Sequence, residues 1–328
     1  MTGAMLVGRL DERHLVATAV ARLRSGRGGG IWVTGPGGIG KTALLATALG
    51  TPTGPGETTR STPGPLGSFL ASITLAARYR RDLRAVTQLI DSVPGAAADR
   101  YVEPVTRLLL SASRDRPLIL RLDDVHQADD ASLALWSRLH RLTGAVPLLL
   151  LSAGRPVSRE AVNGARSVAA SHGARAVDLA PLRETEAIAL ATSLGHSPHI
   201  LDSAVRDSGG NPSYLEMLSG GRSEPEPALR ALVSDHLSTL TGLSRHALAL
   251  LAAARPGISF ADLADFSDQD PRELKAGLDE ARRAGVVNSS RTGATFQHPI
   301  VRRVLRMEAR SGAPGLEATP VQSLAQRA

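Results

Sequence analysis

IWVTGPGGIGKTALL, residues 31–45, passes from a short apolar, β-rich run through a glycine loop into apolar residues at helical spacing. Strand, loop and helix in that order are the context in which G-x-x-x-x-G-K-[ST], here Gly35 to Thr42, binds phosphate. Glycines let backbone N–H groups turn inward around a β-phosphate, and the helix that starts at the end of the loop adds its positive dipole end. Lys41 would reach the β- and γ-phosphates and Thr42 would offer its hydroxyl to Mg²⁺. The expected nucleotide-binding set here is Gly35, Gly37, Gly38, Ile39, Gly40, Lys41, Thr42 and Ala43.

Lys41 is one of only two lysines, the other being Lys275, among 38 basic residues. A chain that writes nearly every other cation as arginine keeps an ammonium here, a compact charge that follows a phosphate where a guanidinium fork is too wide.

The second motif is LILRLDD, residues 118–124. An apolar strand delivers Asp123 at its carboxyl end to the Mg²⁺ shell and places Asp124 to orient an attacking water. Asp129 and Asp130 read instead as helix-capping acids.

Bulk properties narrow the field. At 328 residues the chain has room for two or three domains, and 42% hydrophobic with 21% charged residues is ordinary globular composition. Aromatic content of 3% gives an aliphatic core and disfavours base-stacking surfaces. The net charge of +7 is spread over scattered arginines rather than a patch. Without cysteine there is no disulfide, thiolate metal site or cysteine nucleophile. Apolar stretches such as Leu148 to Leu151 are far short of the ~20 residues of a membrane helix. We expect a soluble, cytoplasmic protein.

Further strands are expected at 148–155 (LLLLSAGR) and 176–182 (AVDLAPL), with helices over about 69–90, 102–113 and 130–142 and irregular chain over 51–68. Strands that are apolar on both faces and alternate with helices indicate an α/β fold with a parallel P-loop sheet. After Pro181 the strands stop. Short helices punctuated by glycine reach a hinge at SEPEPA (223–228), and then helices at 229–240, 244–254, 259–266 and 271–284 precede a hairpin over VVNSSRTGATFQ and a last helix from Pro299. The expected domains are a P-loop domain (1–180), a small helical lid (181–225), a winged-helix domain (226–310) and a disordered tail (311–328).

Taken together, LVGRLDE (6–12), GPGGIGKTALL, LDDVHQADDASL, LLLLSAGRP, GGNPSYLEML and FQHPIVRRVL follow one another in the order of a known family. The chain resembles the signal-transduction ATPases with numerous domains, and in particular the ATPase module of the large ATP-binding LuxR-type transcriptional regulators of actinobacteria. The resemblance implies a sheet of 51432-type strand order, ATP or ADP with Mg²⁺ as ligands, and hydrolysis of ATP to ADP and phosphate. It implies that Val7, Gly8 and Arg9 flank the adenine, that Arg155 senses the γ-phosphate, that Pro212 touches the base side of the nucleotide and that His298 contacts the β-phosphate of ADP. Read as bare residues, Asn211-Pro212 could simply cap and start a helix, His298 could do the same, and Arg155 could be a solvated cation at a strand end.

Three departures from the family matter. The proline- and glycine-rich 51–64 stands where the second edge strand would run, so that strand is open to loss; Arg121 would then guard an exposed edge. Gln127 replaces a usual tryptophan and Asp124 a usual glutamate, so turnover should be slow, since catalysis by positioning is sensitive to displacements near ~1 Å. No helical-repeat sensor or helix-turn-helix follows Leu305, which suggests a truncated module or a protein that works through a partner.

The leading expectation is therefore a slow ATPase switch in which ADP holds the winged helix through His298, ATP releases it, and the open form associates with itself or a partner regulator. The alternative is a non-hydrolysing, ADP-bound interaction module. Direct DNA binding through PRELKAGLDEARR is disfavoured, because Glu273, Asp279 and Glu280 share that helix with its cations and acidic residues precede it.

Overall fold

The computed structural model describes residues 6–49, 98–218, 227–267, 269–289 and 293–311. The irregular segment expected over 51–68, the helix over 69–90, most of the hinge at 223–228 and the tail lie outside them. By packing, the chain divides into two compact units, residues 1–35 with 40–179, and 36–39 with 180–328.

The first unit contains α1 (Leu10–Arg24), β1 (Gly29–Thr34), α2 (Lys41–Ala46), α3 (Ala98–Asp115), β2 (Leu118–Leu122), α4 (Asp130–Leu142), β3 (Leu148–Gly154), α5 (Glu160–Ser171) and β4 (Arg175–Asp178). Its four strands form one parallel sheet in the order β2-β3-β1-β4. Ile31 stands opposite Leu151, Leu120 opposite Leu150, and Val33 opposite Val177. All of β3 is buried, as is β1 beyond Gly29, which is why these two central strands are continuous apolar runs rather than alternating ones. At the edge, β4 buries only Val177 and ends at Asp178, short of the 182 expected from sequence. One more bond, from Leu179 N–H to Thr34 O, follows before Pro181, which has no N–H to continue a ladder.

This order matches four places of a 51432 sheet, and the remaining edge strand would fall in residues outside the described ones. Among the described residues β2 pairs with β3 alone.

Leu109, Leu120, Trp136, Leu139 and Leu150 share one core. Trp136 satisfies its buried Nε1–H on Ser152 Oγ at 2.8 Å. Asp129 caps α4 by accepting the Ser132 N–H at 2.8 Å, which fixes where the chain turns after the second motif.

The second unit contains α6 (Glu184–Ser193), α7 (Pro198–Ser208), α8 (Pro212–Met217), α9 (Pro227–Leu237), α10 (Gly242–Ala253), α11 (Phe260–Ser267), α12 (Pro271–Arg283), the antiparallel pair β5 (Val287–Ser289) and β6 (Ala294–Phe296), and α13 (Pro299–Ser311). Proline opens α7, α8 and α12, where its missing N–H costs nothing. Tyr214, Leu248, Leu263, Leu278, Ile300 and Val304 lie in a single core, so α8 and the helices after it are built around one interior. No helix among the described residues is long and apolar enough to cross a membrane.

Candidate functional site

Three neighbouring parallel strands release the chain on the same side of the sheet: β1 into Gly35, β2 into Asp123 and β3 into Arg155. The carboxyl ends of such strands, where the order reverses, are where α/β sheets bind ligands. Lys41 opens α2, is buried, and donates from Nζ to Gly35 O at 2.9 Å. Thr42 and Ala43 follow it on the first turn, half-buried.

Asp123 is buried, and neither carboxylate oxygen has a hydrogen-bond partner among the described residues. Burial raises its pKa; the charges of Arg121 and Lys41 act in the opposite sense, and that of Asp124 adds to the rise. Arg121 balances its charge, but both carboxylate oxygens keep their hydrogen-bonding capacity unused. Asp123 and Thr42 are oxygen donors of the kind that could hold a divalent ion; among the described residues no cluster of three His, Cys, Asp or Glu side chains forms a metal site.

Arg121 corrects a sequence expectation. Its side chain is buried rather than spread over an open edge, and its Nε lies 3.1 Å from Asp123 Oδ2, an ion pair without hydrogen-bond alignment. Residues two apart in a strand share a face, so the charge inside LILRL meets the acid two residues on.

Asp124 has φ 49° and ψ 39°, a left-handed conformation that a non-glycine residue adopts only at a cost, and its side chain is 43% exposed. The kink leads into a 3₁₀ turn at Val125–Gln127 that buries His126. His126 Nδ1 accepts the backbone N–H of Arg155 at 3.3 Å and lies 4.0 Å from Asp124 Oδ1. Gly154 lets Val125 pack beside it: a Cβ there would stand 2.5 Å from Val125 Cγ1. Arg159 grips the same loop through the carbonyls of His126 and Ala128 and the carboxylate of Asp130. Gln127 is exposed.

In the second unit, Asn211 has the capping role that its sequence allowed: Oδ1 accepts from the N–H groups of Ser213 at 3.1 Å and Tyr214 at 3.4 Å. It also does something unforeseen, donating from Nδ2 to Gly37 O at 2.8 Å, while Ser213 N–H reaches Gly38 O at 3.3 Å. Gly38, at φ 73°, has no alternative residue, because a Cβ would come within 2.8 Å of Asn211 Oδ1. Pro212 is the first residue of α8.

His298 is fully buried, with Nδ1 2.8 Å from Ser208 O and its ring edge-on to Tyr214 at 5.3 Å between centroids. A carbonyl only accepts, so Nδ1 carries the proton and Nε2, which has no partner among the described residues, carries a lone pair. Burial pushes its pKa down to about 4, against the raising effect of the backbone bonds at Ser208 and Gly209. Val7, Gly8 and Arg9 form the turn before α1, with Gly8 at φ 70° and Arg9 at φ 57°, and α1 packs on β1 and α2. Arg9 is buried, 3.7 Å from Glu12.

Three residues of this geometry escaped the sequence reading: Asn211 as a P-loop contact, His126 and Arg159. Asparagine before proline signals a cap and nothing more, while a single histidine or arginine inside a loop carries no spacing signal.

The parallel sheet and the phosphate-binding loop together are the fold of a P-loop nucleotide-binding domain. Residues 5–151 match the family model of the AAA ATPase domain. No curated protein matches the chain. Among solved structures, a Walker-type ATPase of Pyrococcus abyssi is 12% identical, with 92% of this chain and 96% of that one covered and a TM-score of 0.57. The ORC2 protein of Aeropyrum pernix, solved in ADPNP–ADP complexes, is 18% identical over 98% of this chain and 95% of that one, with a TM-score of 0.53. A signal transduction ATPase with numerous domains and a tetratricopeptide-repeat sensor from Pyrococcus horikoshii is 16% identical over 94% of this chain, with a TM-score of 0.44. This chain spans 44% of the length of that last structure.

Proposed function

We propose that the chain is an ATP- and ADP-binding P-loop ATPase that hydrolyses ATP slowly and acts as a regulatory switch, resembling the ATPase module of LuxR-type transcriptional regulators. The observation that carries this reading is Asp123: a buried carboxylate without a hydrogen-bond partner among the described residues, under the influence of the Lys41 charge. Lys41 would hold the β- and γ-phosphates, Thr42 and Asp123 the Mg²⁺, and Asp124 the attacking water, with Arg155 beside the γ-phosphate. Val7, Gly8, Arg9 and Pro212 would line the base. The magnesium ion would supply charge neutralisation on the phosphate oxygens. His298 belongs to the proposed set on one condition: Nε2 can donate to a phosphate only after the ring takes up a second proton.

The proposed domains are a P-loop domain (1–180), a helical lid (181–225) and a winged-helix domain (226–310). The succession α10, α11, α12, β5 and β6 supports the last. On α12 the exposed Arg272, Lys275, Arg282 and Arg283 share the surface with exposed Glu273 and half-buried Asp279 and Glu280, a mixture that suits a protein partner or a second copy better than a nucleic-acid backbone.

The test is to release and identify the nucleotide that co-purifies with the protein, then to measure ATP turnover by wild type and by Lys41→Ala. Near-stoichiometric ADP and slow turnover lost with Lys41 are expected. A protein that binds neither ADP nor ATP would overturn the reading.

A further inference from the structure

We propose that His126 is a positioning residue of the hydrolytic centre, a buried ring that ties the turn carrying Asp124 to the Arg155 backbone. The inference rests on the ATPase reading above and adds a residue to it. Asp124 and Arg155 follow two neighbouring strands, β2 and β3, whose ladder ends at Leu122 and Ser152 among the described residues. The imidazole bridges the chain beyond it. Its Nδ1 accepts the Arg155 N–H at 3.3 Å and stands 4.0 Å from Asp124 Oδ1, and the side chain is 2% exposed.

The surroundings leave the ring little freedom. Arg159 reaches its carbonyl, and the 3₁₀ turn fixes its backbone through the 2.7 Å bond from Gln127 N–H to Asp124 O. The tautomer follows from the bond. A backbone N–H only donates, so Nδ1 bears the lone pair and Nε2 the proton. Nε2 lies 3.4 Å from the Gln127 side-chain amide, whose oxygen rather than nitrogen then faces it, since amide orientation is assigned from partners. With its lone pair taken by the Arg155 N–H, the ring gives Asp124 Oδ1, 4.0 Å away, no hydrogen bond; it acts on the left-handed Asp124 through the 3₁₀ turn whose backbone both share.

A group that acts only through the geometry of two others should affect the chemical step and not nucleotide binding. The acceptor atom can be tested by itself: asparagine puts Oδ1 two bonds from Cβ, where Nδ1 is, and glutamine puts Oε1 one bond further out. We would measure kcat for ATP and the affinity for ADP for wild type, His126→Leu, His126→Asn and His126→Gln. His126→Leu and His126→Gln are expected to lose about tenfold or more in kcat with ADP affinity within about twofold of wild type, and His126→Asn to recover to within about threefold. If His126→Leu does not fold, the Asn against Gln comparison carries the test. Equal kcat for all four proteins, equal losses for Asn and Gln, or parallel losses of kcat and affinity would overturn the inference while leaving the ATPase reading intact. A wild-type protein that binds ADP without hydrolysing ATP would overturn the ATPase reading and this extension with it.

Discussion

Arg121 of β2 and Asp123, the first residue beyond that strand, lie with Nε and Oδ2 3.1 Å apart, both buried, and the carboxylate oxygens unsatisfied by any hydrogen bond among the described residues. Breaking a buried pair by removing one partner strands a charge, at a typical cost of about 3–5 kcal/mol, whereas replacing both by apolar groups is often neutral. Arg121→Leu should therefore destabilise the protein by several kcal/mol, and Arg121→Leu with Asp123→Leu should recover most of the loss. Guanidinium unfolding of both singles and the double variant measures the coupling. Equal destabilisation in the Arg121 single and the double would show that the pair does not act as a unit.

That pair also marks the limit of what sequence could reveal. The sheet was legible because ILE, VAL and LEU runs without alternation suit only strands covered on both faces, and GPGGIGKT fixed where β1 must end. Arg121 was misread because an isolated cation in an apolar strand usually signals an edge, while its partner had already been assigned to a metal. Asn211 was half legible: its cap is local, but its bond to Gly37 joins residues 174 apart, and no local pattern encodes that.

Asn211 separates two functions in one side chain. Asn211→Asp keeps an oxygen for the N–H groups of Ser213 and Tyr214, but it cannot donate to Gly37 O and sets a carboxylate against that carbonyl. Asn211→Ala loses both the cap, worth about 1 kcal/mol, and the loop contact. We expect Asn211→Ala to lose roughly 2 kcal/mol of stability. Asn211→Asp should stay closer to wild type in thermal unfolding yet bind ADP at least tenfold more weakly in calorimetric titration. Unchanged ADP affinity in Asn211→Asp would mean that the Gly37 contact does not shape the phosphate loop.

Substituting Lys41 by arginine tests why lysine persists in an arginine-rich chain. Lys41 is buried, with Nζ on Gly35 O, and a guanidinium is wider than the ammonium it would replace. Lys41→Arg keeps the charge, so a purely electrostatic role predicts ADP affinity close to wild type. The geometric role predicts a loss similar to that of Lys41→Ala, about a hundredfold, and equilibrium binding of ADP by the three proteins decides between them.

Stability should fall on mild acidification, and the sign follows from two buried rings. Burial lowers the pKa of His140 and of His298 from 6.5 to about 4. The unfolded chain takes up these protons as pH drops through 6.5, and the folded chain does not until about pH 4, so each ring withdraws stability across that window and adds no further loss below it. A shift of ~2.5 units corresponds to roughly 3 kcal/mol for each ring when the window has been crossed. The raised carboxyls of Asp123, Glu216 and Glu308 act in the opposite direction, so a variant is needed to isolate one ring. His140 lies between Trp32 and Trp136, with no hydrogen bond to either ring nitrogen among the described residues, and phenylalanine preserves that aromatic contact. His140→Phe should therefore lose less stability than wild type between pH 7.5 and pH 4.5, whatever its stability at neutral pH. Denaturant unfolding of both proteins at the two pH values gives the difference, and parallel losses would show that His140 protonates freely in the folded protein.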